Sequence, residues 1–397
     1  MKNLLTAAAA ATLVLLCGCV TKVTTIPLTG DIMVDGPRAI AEGPPRDRVL
    51  WEYRVAAAAM RLNDDALAKK MLDDALLTLD GIYGKDPNAK KARSYFHSEN
   101  KKTFIGEPYE RVMAYYYRGI LYWMDGEPDN ARACFRTGEL EDSSSITNNG
   151  ETPYSGDYIL LDYLDGLVTA KEGGDGLDAY ARATNNCKTI QPPPPYNTKA
   201  NVLFFLEFGP GPEKYATGRY REELRFRVPP SAPYSAMITI NNQTLTEGFY
   251  DDLGFQATTR GGRVMDHVLA NKAIFKDVTG GVGQAAILGG ALTAAASRNS
   301  TGQEVGLGIL AAGLILEGVS ASTHPAADTR AWNNLPRFLS FAAVQLPPGQ
   351  YPATVEFRDR NGYTIPNLTK TLTINVTADS RDKVVFVSDR SRTPQTL

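Results

Sequence analysis

Apolar residues recur at helical spacing through the first half of this chain. Between residues 48 and 188, small, aliphatic and aromatic side chains return every three or four positions, most regularly along residues 50–79. Such a period turns one face of each helix toward a shared core. The pattern predicts a helical domain over residues 48–190, which ends at a stiff proline-rich break over residues 192–195.

Small residues within this region repeat at the spacing of tetratricopeptide (TPR) repeats. Two sets of four positions share the same intervals: Ala56, Ala68, Leu72 and Ala75, then Gly119, Ala131, Phe135 and Gly138. Small side chains at such positions let the paired helices of a repeat approach closely. A third, degenerate copy covers residues 158–185, and the copies are unevenly separated. The pattern predicts an irregular TPR-like array, with a generic helical bundle as the alternative.

After the proline-rich break, the apolar pattern changes to that of β-strands. Apolar runs and alternation predict strands at residues 202–208, 222–228, 235–240, 338–346, 351–358, 370–376 and 383–387. Turn sequences follow two of them, Pro347-Pro348-Gly349 and Arg360-Asn361-Gly362. The pattern predicts an antiparallel, sandwich-like β-domain over residues 196–397, and the expected fold class is therefore α+β.

A Gly- and Ala-rich segment interrupts the strands. Residues 278–297 are uncharged, residues 305–323 are similar but contain Glu317, and a polar turn joins them. This predicts a helical hairpin inserted at about residues 264–324. Small residues four apart allow close helix packing and are common in membrane helix pairs. Three roles stay open: a soluble hairpin on the β-domain, a membrane-inserted element, and self-association through residues 278–323.

The first residues have the pattern of an export signal. A lysine at position 2 precedes a short uncharged apolar run, which ends in Leu16-Cys17-Gly18-Cys19. The run is too short for a membrane-spanning helix. Its ending resembles the lipobox of bacterial lipoproteins, which implies a signal peptide over residues 1–18, cleavage between Gly18 and Cys19, and acylation of Cys19. Residues 19–47, rich in Gly, Pro and polar residues, predict a flexible lipidated tether.

Composition narrows the function classes further. The 397 residues have a formal net charge of −2, without the basic excess that nucleic-acid binding requires. The three histidines share no ligand spacing, and we predict neither a metal site nor a cofactor. No Gly-x-Ser-x-Gly motif occurs, and we predict no catalytic residue. A disulfide between Cys134 and Cys187 stays open.

A dense polar motif lies at the start of one predicted helix. Its residues are Glu107, Pro108, Tyr109, Glu110 and Arg111. Proline and acidic residues in a first turn satisfy the free backbone N–H groups and the helix dipole. We expect Tyr109 and Arg111 to pin this turn to the neighbouring helix. Glu107 and Glu110 would act as acid and base only if they were buried together, and Asp251-Asp252 is the other carboxylate pair considered for hydrolysis.

Aromatic residues supply the remaining candidates. Tyr116 lies within an aromatic helix, where we expect most rings in the core and any exposed remainder in a peptide groove. Arg330 and Trp332 lie in the segment that joins the predicted hairpin to the returning strands. We expect these two side chains to stack or pair across the domain join.

Several of these motifs resemble one protein family. They are GEPYER at 106–111, RACF at 132–135, GPGPEK at 209–214, ADTRAWNNLP at 327–336 and LPPGQY at 346–351. Together they resemble a family of uncharacterised bacterial envelope lipoproteins with helical repeats. The resemblance implies an outer-membrane lipoprotein without known catalytic residues, whose relatives are often encoded near lipoproteins that activate peptidoglycan synthases. Val20 is not the aspartate that retains lipoproteins in the inner membrane, which agrees with this location.

The sequence thus predicts a non-enzymatic scaffold at the periplasmic face of the outer membrane. Its expected contacts are the membrane, through lipid on Cys19, and an envelope protein or peptide, through the helical repeats. Two alternatives stay open. The first is a membrane-active or oligomer-forming protein that uses the Gly/Ala-rich hairpin, and the second is a cell-wall hydrolase.

Overall fold

The computed structural model describes residues 26–83, 103–143, 158–187, 190–259, 327–379 and 381–397. Within these ranges the α-helices are α1 Ile32–Glu42, α2 Arg48–Arg61, α3 Asp65–Tyr83, α4 Pro108–Met124, α5 Pro128–Ser143, α6 Ile159–Lys171, α7 Leu177–Asn186 and α8 Leu253–Thr259. The strands are β1 Val202–Pro210, β2 Glu213–Thr217, β3 Glu223–Arg227, β4 Ser235–Ile240, β5 Gln243–Glu247, β6 Asp251–Asp252, β7 Pro336–Val344, β8 Gly349–Arg358, β9 Lys370–Val376 and β10 Lys383–Ser388. The predicted α+β class, with helices first and strands after, is confirmed.

Consecutive helices pack as pairs: α2 with α3, α4 with α5, and α6 with α7. The small residues predicted to permit close approach lie at these contacts. A Cβ atom on Gly119 would come within 2.5 Å of the Phe135 ring, so α4 and α5 can meet closely only around a glycine. Ala56, Ala68 and Ala75 are fully buried in the same way.

The strands form two four-stranded sheets and one two-stranded ribbon. The first sheet has the order β10-β1-β7-β6, the second has the order β5-β4-β8-β9, and β2 pairs with β3. Strand β1 is buried over almost its whole length because both of its faces are covered. Leu203 and Phe205 belong to the apolar core shared with the helices, whereas Phe204, Leu206 and Phe208 belong to the core shared with the second sheet. The first sheet is therefore a middle layer.

The purely antiparallel pairing predicted for the β-domain is wrong for one pair of strands. Strand β1 pairs in parallel with β10, from Val202 opposite Lys383 to Glu207 opposite Ser388. The other ladders of the two large sheets are antiparallel. Strand β10 is the last strand of the chain and enters beside β1 from the same end, which local apolar patterning does not reveal.

The flexible tether predicted over residues 19–47 is wrong for its second half. There the chain forms α1, and its start pairs with the C-terminus through a β-bridge between Asp31 and Thr396. Asp35 is fully buried and accepts hydrogen bonds from the backbone N–H groups of Thr29 and Gly30. The Gly and Pro content of this segment is typical of a linker, but the contacts with the C-terminus fix the segment to the rest of the fold.

Other predictions fall on residues outside the described ranges. The signal peptide, Gly18, Cys19 and the Gly/Ala-rich hairpin belong to this group. In the part of the chain that the structure describes, no helix combines the length and the apolar character that a membrane crossing requires. Cys134 and Cys187 are both free, and burial raises the pKa of each thiol to about 11.

Candidate functional site

Three of the motifs singled out from the sequence meet where the helices join the β-domain. They are the start of α4 at residues 106–111, the turn into β2 at residues 209–214, and the segment before β7 at residues 327–336. Their central contacts involve Glu110, Lys214, Arg330 and Trp332, which we call the junction cluster.

Glu110 is placed by the first turn of α4. Pro108 occupies a first-turn position where its missing N–H group costs nothing, and the Glu110 carboxylate turns back to accept a 2.6 Å hydrogen bond from the Glu107 backbone. Gly106 precedes this turn with a φ of +81°, a backbone conformation that favours glycine. The predicted role of this motif as a helix start is thereby confirmed.

The Glu110 carboxylate also joins the other two motifs. One oxygen accepts the backbone N–H of Trp332 at 2.7 Å, and the other accepts Nζ of Lys214 at 2.5 Å. Lys214 in turn donates to the Arg330 carbonyl at 3.0 Å. Both charged side chains are almost completely buried, at 0% exposure for Glu110 and 1% for Lys214. A buried ion pair with this many hydrogen bonds fixes the relative position of three chain segments.

Arg330 connects the same segment to the start of the helical part. Its guanidinium contacts the carboxylates of Asp47 and Asp328, each at 2.6 Å, and donates to the Arg46 carbonyl. Burial would lower the pKa of Arg330, but hydrogen bonds and negative charge from Asp328 and Asp47 raise it above its ordinary value. The expectation that Arg330 pairs across the domain join is confirmed.

Trp332 fills the space behind the junction cluster. Its ring stacks on Tyr53 of α2 with centroids 4.4 Å apart, and it contacts Tyr117 of α4 edge-on at 5.8 Å. The ring is buried, as is the hydroxyl-bearing end of Tyr53, and burial raises the pKa of Tyr53 well above its ordinary value. Stacking of Trp332 across the join, which the sequence predicted, is also confirmed.

The other residues of the 106–111 motif contact different parts of the fold. Arg111 pairs with Glu141 of α5 at 2.6 Å, as expected for a contact that pins the turn to the next helix. Tyr109 packs edge-on against Phe226 of β3, with ring centroids 5.9 Å apart. Glu107 lies 3.9 Å from Lys214.

Tyr116 lies apart from the junction cluster, on the core face of α4. Its ring packs near Phe135 and Phe205 and is 2% exposed. It is therefore a core residue and does not line a groove. Burial raises the pKa of its hydroxyl well above the ordinary value.

A second buried polar group escaped the sequence reasoning. Arg61 at the end of α2 pairs with Glu207 of β1 at 2.6 Å, and the Tyr117 hydroxyl donates to the same carboxylate. Burial would lower the pKa of Arg61, but the charge of Glu207 raises it. One signal was available: Glu207 is the single charged residue in the apolar run of β1.

The carboxylates considered for hydrolysis have structural contacts. Asp251 accepts the backbone N–H groups of Ile159 and Leu160 at the start of α6, at 2.9 and 3.0 Å. Asp252 pairs with Arg337 at 3.0 Å. Together with Glu110, these side chains hold segments of the fold in place.

An open cleft of about 490 Å³ lies beside the junction cluster. Trp51 and Leu50 form an apolar wall, and Arg54, Lys214 and Arg330 contribute positive groups. Thr329 and Asn333 are exposed at the same opening. Clefts of this size with an apolar wall and a few fixed polar groups are typical of small-ligand or peptide-end sites.

The described residues contain no group of His, Cys, Asp and Glu side chains arranged to hold a metal ion. Comparisons of the chain with models of protein families, with curated proteins and with solved structures give no match.

Proposed function

We propose that this chain is a lipid-anchored, non-enzymatic scaffold at the periplasmic face of the outer membrane, and that it binds its partner at the cleft beside the junction cluster. The observation that carries the proposal is the position of this cleft. It opens between α2, the turn into β2 and the segment before β7, which the junction cluster holds together. A site built on a rigid join suits recognition, because its lining residues are held in fixed positions.

The acidic side chains already have hydrogen-bond or ion-pair partners within the protein, and this supports binding over catalysis. Both oxygens of Glu110 accept hydrogen bonds from the protein, and Asp251 and Asp252 have partners of their own. A general acid or base has to reach the substrate with a free oxygen or proton. The cell-wall hydrolase alternative therefore receives no support from these residues.

The finer fold assignment is part of this proposal. We propose that the pairs α2–α3, α4–α5 and α6–α7 are TPR-like repeats, supported by the buried Ala68 and by the close approach at Gly119. We also propose that the two large sheets form a sandwich, supported by the apolar core that they share. The family resemblance adds peptidoglycan or envelope assembly as the process served.

Site-specific photocrosslinking in intact envelopes tests this function. A photoreactive residue in place of Asn333 would lie at the cleft opening, and the same residue in place of Asn361 would lie in the exposed turn after β8. We expect a discrete crosslinked partner from position 333 and none from position 361. Identical patterns from the two positions, or no crosslink from position 333, would contradict the proposal.

A further inference from the structure

We propose that the cleft beside the junction cluster binds the free carboxylate at the C-terminal end of a peptide, and that Arg54 is the residue that recognises it. This inference rests on the proposed binding function and names the chemistry of its ligand. The charged groups that line the cleft are not all paired with one another.

All but one of these charged groups have an ionic partner already. Lys214 pairs with Glu110, and Arg330 pairs with Asp47 and Asp328. Glu213, the other acidic residue at the opening, pairs with Arg227. These pairs leave little electrostatic attraction for a ligand at Lys214 or Arg330.

Arg54 is the exception among the described residues that line the cleft. One of its terminal nitrogens donates to the Ala331 carbonyl at 2.9 Å, but its Nε is buried without any hydrogen-bond partner. The guanidinium carbon lies 4.8 Å from the centre of the Trp51 ring, which holds the group in one orientation. A largely buried cation without a carboxylate partner is costly unless a ligand supplies the anion.

The environment of Arg54 also affects its protonation. Burial lowers the pKa of Arg54 to about 10, although the negative charges of Glu110 and Asp47 oppose this shift. The guanidinium therefore remains charged at neutral pH while it is poorly solvated. An incoming anion would restore the lost charge stabilisation.

The shape and charge of the cleft favour a carboxylate over a phosphate. The planar, paired donors of a guanidinium match both carboxylates and phosphates, so the discrimination comes from the other charges at the cleft. Asp47 and Glu213 also line the cleft, and their negative charges would repel a dianionic phosphate more strongly than a single carboxylate. The volume of about 490 Å³ accommodates a chain end rather than a folded surface.

The other lining groups fit the rest of a peptide end. Leu50 and Trp51 are buried at the wall and offer an apolar surface for the terminal side chain. The hydroxyl of Thr329 and the amide of Asn333 are exposed and can bond the peptide groups that precede it. The structure thus accounts for a carboxylate, an apolar side chain and a short stretch of backbone.

A peptide array tests the inference on the purified mature protein. The array carries short peptides with each standard amino acid at the C-terminus, once as the free carboxylate and once as the amide. We expect binding to a subset of the free carboxylates, strongest for apolar terminal residues, and at least about tenfold weaker binding to the matching amides. Equal binding of the two forms, or no binding to any carboxylate, would overturn the inference.

Substitutions then locate the carboxylate. Arg54→Gln should weaken binding of the best peptide by about tenfold or more, and Arg54→Lys should weaken it less because the charge remains. Arg360→Gln removes the same charge from the exposed turn after β8 and should leave binding unchanged. Unchanged binding by folded Arg54→Gln would overturn the assignment of this residue.

A second variant keeps the test valid if Arg54→Gln does not fold. Thr329 is exposed, so Thr329→Glu adds a negative charge at the opening without disturbing the core, and Thr329→Gln is its uncharged match. Only the glutamate variant should weaken peptide binding.

Competition by inorganic phosphate better than by acetate would show a phosphate site and overturn the carboxylate inference. Binding of the array without any crosslinked partner in envelopes would contradict the scaffold function alone.

Discussion

At the residue scale, the buried pair of Glu110 and Lys214 joins the start of α4 to β2. Glu110→Gln removes the negative charge and leaves the Lys214 ammonium buried with weaker compensation. We expect the free energy of unfolding to fall by about 3 kcal/mol or more, since removal of one partner of a buried pair strands the other charge. Chemical denaturation monitored by tryptophan fluorescence measures this change.

A double variant distinguishes two causes of the lower free energy of unfolding, the unpaired Lys214 charge and the loss of packing. Glu110→Met combined with Lys214→Met removes both charges and should recover much of the loss. Glu223→Gln, which breaks an exposed pair with Arg225, should have little effect. A loss from Glu110→Gln no larger than that from Glu223→Gln would show that the junction cluster does not hold the join together.

A second residue-scale prediction concerns Glu139 on α5. Burial, together with the neighbouring Asp162 and Asp165, raises the pKa of Glu139 from 4.5 to about 9, while Arg182 opposes this shift. The folded protein therefore keeps a proton that the unfolded chain releases between these values, so the free energy of unfolding falls as pH rises from about 5 to 9. Denaturation at a series of pH values should show a flatter decline for Glu139→Gln than for wild type.

The exposed Asp178 of α7 supplies the control for this pH dependence. Asp178→Asn removes a carboxylate from the surface and should leave the decline as steep as in wild type. If Glu139→Gln instead follows the wild-type curve across the whole range, the carboxyl of Glu139 does not hold a proton in the folded state.

At this scale the sequence identifies important residues better than it identifies their partners. The motif at 106–111, Arg330 and Trp332 stand out locally, and the helix start at Pro108 follows from local rules. The pairing of Glu110 with Lys214 joins residues 104 positions apart. Such a contact depends on how the helices dock on the β-domain, which no local pattern encodes. No sequence pattern marks Arg54 as a candidate binding residue, because what distinguishes it is that no carboxylate in the described part of the fold pairs with it.

At the element scale, Gly119 determines how closely α4 and α5 pack. Alanine favours helix formation over glycine by about 1 kcal/mol, but a Cβ atom at this position would meet the Phe135 ring at 2.5 Å. We expect Gly119→Ala to lower the free energy of unfolding by about 1–3 kcal/mol, the usual range for overpacking. Thermal unfolding followed by circular dichroism checks the sign.

Gly248 offers a matched control, because a Cβ atom there would meet nothing within 4 Å and its φ is not positive. Gly248→Ala should change the free energy of unfolding by no more than about 0.5 kcal/mol. If Gly119→Ala were stabilising, helix propensity would outweigh packing, and the argument for close helix pairing at this position would be wrong.

The elements also show where local patterning reaches its limit. All strands of the two large sheets except β5 and β6 were predicted close to their observed bounds, because their side chains alternate or are uniformly apolar. The parallel pairing of β1 with β10 was missed, since pairing direction depends on the path between strands. Helix α1 was missed because its Gly and Pro residues resemble a linker, whereas contacts with the C-terminus stabilise it.

At the scale of the whole molecule, the position of α1 changes the expected geometry of membrane attachment. Ile26, the first residue that the structure describes, lies seven positions after Cys19 in the sequence. Even fully extended, such a segment spans at most about 25 Å. If Cys19 carries lipid, the start of the described chain is held close to the membrane surface, and a partner has to reach the protein there. A long tether would have allowed a more distant partner.

Cys19→Ala tests the attachment on which this geometry depends. Each buried CH₂ group of an acyl chain contributes about 0.8 kcal/mol, so several chains hold a protein on the membrane almost permanently. We expect Cys19→Ala to move the protein into the soluble fraction of separated envelopes, and Cys17→Ala to leave it with the membrane, because Cys17 follows the large Leu16 rather than a small residue. Retention of the Cys19→Ala protein would contradict lipid anchoring as the main attachment. Loss of that retention on further deletion of residues 278–323 would then favour insertion of the predicted hairpin.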